Sequence, residues 1–338
     1  MLKIRSRYII KQIFDNIIER RYLSIVKYNK KHQNILNLSI KNYKIYNQIE
    51  IELIPISNYE KGDIFINRDN EDNDFIHIYI NNNKTKEYKY CTFEYKSKIS
   101  KIRILIDNEI KSFKGLFKDC DCLKELKIVK CNRKNIIDMS EMFCGCTNLE
   151  KLNLLNLKTD KVTDMSYMFS GCLYLKELNL NNFNTSNVTN MKNMFEECSN
   201  LRQLNLNNFN TSNVVYMNDM FSECDDLDSI KIENFNTSKV KKMSRMFNNC
   251  SNLIKLNLNN FDTSNVNDMS SMFSKCSDLI ELDISNFNIK KNANVIYMFS
   301  ECKLELKNKI KTQIKKISKK AFEIKKKIIW VSGKFLFI

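Results

Sequence analysis

The sequence is poor in the residues that build flexible or catalytic loops. Its 338 residues hold five glycines, one proline (Pro55), two histidines (His32 and His77) and one tryptophan. So few glycines argue against folds that cradle phosphate in a Gly-rich loop, and one proline excludes a collagen-like or Pro-rich architecture. Two histidines leave little room for His-based catalysis or metal ligation.

Long hydrophobic runs are missing as well. The first 24 residues are broken up by Arg5, Arg7, Lys11, Asp15, Glu19, Arg20 and Arg21, where a signal peptide needs an apolar core of roughly 7–15 residues. The last run, 328–338, is 11 residues long and contains Lys334, short of the roughly 18–20 that span a bilayer. The expectation is a soluble cytoplasmic protein whose 12 cysteines are mostly reduced, with the cell surface as the alternative location.

What the chain does have is a hydrophobic fraction of 43%, enough to build a core, and a repeat. Met142-Phe143-x-x-Cys146 recurs at Met168, Met194, Met220, Met246, Met272 and Met298, always 26 residues on, and Leu116-Phe117-x-x-Cys120 is a degenerate copy one step earlier. The unit that starts at Leu175 joins two periodicities. Leu178-Asn179-Leu180 alternates apolar and polar, as a half-buried strand does. Val188, Met191, Met194, Phe195 and Cys198 then fall at the spacing of one face of a short helix, with Thr185 and Ser186 placed to cap it. One unit cannot bury both of its faces alone, so such units stack into a solenoid with one parallel sheet. At roughly 4.8 Å per strand, eight of them make a sheet about 40 Å long. The column Asn156, Asn182, Asn208, Asn234, Asn260 and Asn286 reads as structural, its amides bonding one another and the turn carbonyls.

The MFxxCxxL segment (Met194-Phe195-Cys198-Leu201 and its copies) resembles the AFxxCxxL stretch of BspA-like leucine-rich repeats. Phe261-Asp262-Thr263-Ser264-Asn265-Val266 with Met269, Met272 and Phe273 is similar to the repeat region of BspA-family surface proteins. The resemblance covers roughly residues 116–302. It implies a leucine-rich-repeat fold and a role as an adhesion or protein-binding surface, often secreted or lipid-anchored; the first residues of the sequence lead to the expectation of neither an export signal nor a lipidated N-terminal Cys.

Residues 6–30 place Ile9, Ile10, Ile13, Phe14, Ile17 and Ile18 on one helical face, and a second short helix is expected over 31–38. Residues 49–107 read as strands punctuated by Asn- and Asp-rich turns. From Leu304 to Ile324, helical spacing of Leu306, Ile310, Ile314, Ile317 and Ala321 suits a cover for the last unit. The expected fold is therefore α/β: a leucine-rich-repeat-like solenoid of about eight 26-residue strand–turn–helix units over 108–302. A helical segment (1–48) and a β-rich segment (49–107) form a small α+β N-terminal region, and 303–338 is a basic helical C-terminal cap.

The cysteines are the residues that invite chemistry. Eight of the 12, from Cys120 to Cys302, fall once per unit on the apolar face, where a free thiol behaves as a small hydrophobe. They lack the short paired spacings of a zinc site, and nothing matches a nucleophile with its base, a P-loop or paired carboxylates. No catalytic residue, metal or cofactor is expected. Binding remains. In a leucine-rich solenoid the sheet's concave face shows the polar residues that alternate with leucine, here Glu177, Asn179, Asn181, Gln203, Asn205, Asn207, Lys231, Glu233, Lys255, Asn257 and Asn259. This mixed, amide-rich surface suits a protein ligand bound by a monomer.

The net charge of +16 first suggests a polyanion partner, but its distribution moves that property to the ends. Residues 1–31 carry nine basic and two acidic residues, residues 303–327 carry eleven and two, and residues 32–302 carry 34 and 35. The basic C-terminal segment suits peripheral contact with an anionic membrane. With only Phe322 and Trp330 as stacking platforms there, sequence-specific nucleic-acid reading is not expected.

Overall fold

A computed structural model describes residues 30–35, 47–67, 75–83, 85–94, 98–107, 110–314, 317–324, 328–331 and 334–337. But for Lys30, the amphipathic stretch 6–30 lies outside them. Helix α1 spans Lys30–Ile35. The strands β1 (Ile49–Pro55), β2 (Ile76–Ile80) and β3 (Ile102–Ile106) are antiparallel, with β1 between β3 and the first strand of the repeats, β4 (Leu123–Lys130). β5 (Lys151–Asn153) then pairs parallel with β4, so one five-stranded sheet runs from the N-terminal region into the array. The buried side chains form one cluster from Ile49 to Ala321.

Beyond β5 the expected continuous sheet is absent. Three-residue strands pair two by two: β6 (Gln203–Asn205) with β7 (Ser229–Lys231), and β8 (Lys255–Asn257) with β9 (Glu281–Asp283). Residues 176–180 form no strand, although Leu178 and Leu180 stay buried while Glu177 and Asn179 stay exposed, as the alternation requires.

The helix expected over Val188–Cys198 is replaced by a chain of tight turns. Met194, Glu196 and Cys198 each donate to the carbonyl three residues back, not four as in an α-helix. The amides between them point along the solenoid: Met191, Asn193, Phe195 and Glu197 bond Tyr216, Asn218, Met220 and Ser222 of the next unit. A column of parallel bridges runs unbroken from Ser112 through Asp138, Asp164, Asn190, Tyr216, Lys242 and Asp268 to Asn294. Tandem turns and a helix share an apolar spacing of three to four residues, so the pattern alone does not separate them. The backbone does, because the turns need two left-handed residues per unit, four apart. Asn193 and Glu197 have φ of 56° and 57°, and their counterparts in the first three copies include Gly115, Gly145 and Gly171. For a non-glycine residue this region costs roughly 1–2 kcal/mol, and glycine's extra chain entropy returns about half of that. Glu197→Gly is therefore expected to raise stability by about 0.5–1 kcal/mol in urea unfolding, a rare stabilising glycine. Gly145→Ala is expected to do the opposite, since a Cβ there would lie 2.3 Å from Asp119 Oδ1.

Three side-chain columns tie unit to unit. Phenylalanine rings stack from Phe117 through Phe143, Phe169, Phe195, Phe221, Phe247, Phe273 and Phe299, centroids 5.4–5.9 Å apart and planes within 19°. The asparagine column bonds carbonyls of the preceding unit, as Asn182 Nδ2 does to Leu154 and Leu157; it works through the turn carbonyls of the expectation rather than through amide–amide contacts. Thr185 and Ser186 do not cap a helix. Thr185 Oγ accepts from Asn210 N–H at 2.8 Å and donates to Asn210 O at 3.1 Å, while Ser186 turns back to Asn184. Buried Thr211 makes the same pair with Asn236. Thr211→Val keeps the shape and strands both main-chain groups, so a loss of about 2–4 kcal/mol is expected, with Thr211→Ser recovering most of it in the same denaturation assay.

At the C-terminus the expected helix over Leu304–Ile324 divides. Helix α2 spans Leu304–Gln313, a 3₁₀ turn spans Lys319–Phe322, and the end of the chain is an antiparallel hairpin, β10 (Ile328–Val331) with β11 (Lys334–Phe337), not more helix. Ala321 accepts from Phe299 N–H as the methionines do elsewhere, and Phe322 adds one more ring to the stack. Gln313 borders β9 in place of a further strand: its Nε2 donates to Leu282 O and its Oε1 accepts from Ile284 N–H. Those are two of the groups a bare sheet edge would leave open to another chain.

Candidate functional site

The strand face carries ten of the candidate residues exposed and Asn207 half-buried. Their side chains are not equally free. Asn179, Asn205 and Asn257 each turn Oδ1 back to the amide of Asn181, Asn207 or Asn259. These asparagines shape the turn that ends the strand. Lys255 is held by Glu281 at 2.8 Å, as Lys151 is by Glu125 at 2.9 Å, and that bond makes the Lys151 ammonium hold its proton more firmly.

Six candidates come together in one trough of about 930 Å³: Glu177, Asn179, Asn181, Gln203, Asn205 and Lys231. Asn207, Glu233, Lys255, Asn257 and Asn259 lie outside its lining. The trough sits over the unpaired segment 176–180, with the buried Leu178, Leu180 and Leu204 in its lining. Its lining also includes Lys176 and Arg202, which the alternation did not flag. Both sit one residue ahead of the strand alternation, in the same place in successive units. Two basic residues in that register were the signal available in the sequence. A second hollow of about 340 Å³ lies between β1, β4 and β5, where Lys101–Glu52 and Lys151–Glu125 ion pairs cross its rim.

The cysteine column is chemically quiet. Each ladder thiol from Cys146 to Cys302 donates to the Phe carbonyl of the preceding unit at 2.9–3.3 Å. It is a weak donor that answers a buried acceptor, besides filling space. Burial pushes the thiols far up, Cys224 and Cys302 to about 12, and all 12 cysteines are free. A neutral buried thiol is neither nucleophile nor metal ligand. Among the described residues no group of three or more His, Cys, Asp or Glu side chains could hold a metal ion. No helix among them is long and apolar enough to cross a membrane.

Stacked short units with one polar, hollowed face define a repeat protein of the leucine-rich type. Residues 111–230 and 227–327 match the family described as "Mycoplasma protein of unknown function, DUF285", and the chain belongs to that family, a match consistent with the resemblance of its repeats to BspA-like ones. A leucine-rich repeat protein from Bacteroides ovatus ATCC 8483, known from its crystal structure, is 15% identical, with a TM-score of 0.43 over 72% of this chain and 57% of that one. The chain thus spans little more than half the length of that protein. No curated protein sequence matches the chain.

Proposed function

We propose that this chain is a non-enzymatic interaction scaffold that binds a protein partner on the strand face of an array of about eight units. The trough over residues 176–180 carries the reading. It is a hollow lined by outward amides and charges on an apolar floor, which is how a protein site presents polar specificity around buried area. The N-terminal strands and the segment 303–324 serve as covers for the two ends of the array.

The test is capture of partners by photo-crosslinking in native extract, followed by identification. Lys231→Glu and Lys255→Glu, on the strand face, should lose a specific partner that wild type and Lys161→Glu, on an exposed turn, both retain. Identical partners across all four chains contradict the proposal. Protease shaving of intact cells separates this reading from that of a surface adhesin. A membrane role through the C-terminal segment has less support, because Leu306 and Ile310, the apolar side of α2, are buried in the core and unavailable to a bilayer.

A further inference from the structure

The trough gathers several cations that have no ion pair among the described residues, a state shared on the strand face by Lys127 in the second hollow. Elsewhere on that face Lys101, Lys151 and Lys255 each lie within 3 Å of a carboxylate on a neighbouring strand. Lys176, Arg202 and Lys231 form no ion pair among the described residues, although all three line one hollow. Lys176 and Arg202 occupy the same register in adjacent units, 26 residues apart. Like charges at the same position of adjacent units repel, and an anion bound between them would relieve that repulsion. Against these three cations stand two carboxylates, Glu177 and Asp226, the latter 3.4 Å from an Asn252 amide. The hollow keeps a net positive charge in a segment of the chain that is otherwise balanced.

The main chain beneath it adds a second feature. Glu177, Leu178 and Asn179 make no main-chain hydrogen bond to either neighbouring unit, whereas the same positions in β6 and β7 pair in register. Several N–H and C=O groups are therefore open at the floor, beside the amides of Gln203, Asn205 and Asn200. A small inorganic anion would use the cations alone. An extended peptide also has main-chain groups of its own to offer the open donors and acceptors of residues 177–179.

We propose that the trough binds an extended acidic peptide segment of the protein partner, its carboxylates meeting Lys176, Arg202 and Lys231. This rests on the scaffold reading above and names the chemistry of its partner.

The experiment is fluorescence anisotropy on the full chain with three labelled ten-residue peptides of one pattern, carrying Glu, Gln or Lys at the same positions. The Glu peptide should bind best and weaken as salt is raised. Lys176→Glu with Arg202→Glu should weaken it at least tenfold, the gentler Lys176→Gln with Arg202→Gln should fall between, and Lys161→Glu should stay within twofold. Far-UV circular dichroism and melting establish that each variant is folded. Equal binding of the Gln peptide, or an unchanged affinity in the double reversal, overturns the assignment. So does displacement of the Glu peptide by inorganic phosphate at equal charge concentration, which would make this a small-anion site. Failure of all three peptides to bind wild type also ends it, yet leaves the scaffold reading standing if Lys231→Glu and Lys255→Glu still lose a crosslinked partner.

Discussion

Raising the pH from 8 to 10 is expected to unfold the array. Eight ladder thiols, from Cys120 to Cys302, are held neutral by burial, their folded values far above the ordinary 9.0. Once unfolded, each thiol ionises as the pH passes 9, while in the folded chain it keeps its proton. The unfolded state then binds fewer protons, so stability falls as pH rises, and the loss begins at the ordinary thiol value. Between pH 8 and 10 each thiol contributes a loss of about 1.4 kcal/mol, and eight together roughly 10 kcal/mol, the whole stability of a typical domain. Urea midpoints across this range should collapse, and Cys224→Ala with Cys250→Ala should flatten the slope by about a quarter. A midpoint that holds steady to pH 10 would contradict burial of the column.

Phe221→Ala should cost about 3–5 kcal/mol, the range for removing a large aromatic side chain from a packed core. Phe221 is fully buried, with rings at 5.6 Å and 5.4 Å on either side, and stacked rings add to plain area burial. Its place in a one-dimensional array adds a second consequence. Units touch only their neighbours, so weakening one interface in the middle uncouples the halves. The unfolding curve of Phe221→Ala should broaden or split, with a smaller fitted m-value. Phe322→Ala is the control: that ring is half-buried and stacks on Phe299 alone, so it should lower stability less and leave the curve sharp. A single sharp transition in Phe221→Ala, shifted no further than in Phe322→Ala, would show that the stack does not couple the units.

Particular residues explain what the sequence revealed and what it hid. Most leucines of the units, the Met-Phe pairs and the eight ladder cysteines are buried where periodicity placed them, because burial of apolar positions follows from spacing whichever backbone carries it. The backbone was less legible. Spacing of three and four residues suits both a helix and tandem turns, and only the glycines at 115, 145 and 171 hinted at left-handed positions. Phe322 was hidden because it follows Phe299 by 23 residues, not 26, and because Ala321 stands where methionine is expected. The polar candidates were found by alternation, which reports exposure and not convergence. It therefore included Lys255, already paired with Glu281, and omitted Lys176 and Arg202, which precede the strand.

The central claim is that this array is bonded through its turns and leaves its strand face open around residues 176–180. Residue-resolved hydrogen exchange measures that directly. The amides of Phe169, Phe195, Phe221 and Phe247, each bonded to the next unit, should be among the slowest, and those of Glu177, Leu178 and Asn179 among the fastest in the repeats. Fast exchange at the phenylalanines with strong protection across 177–179 would contradict it.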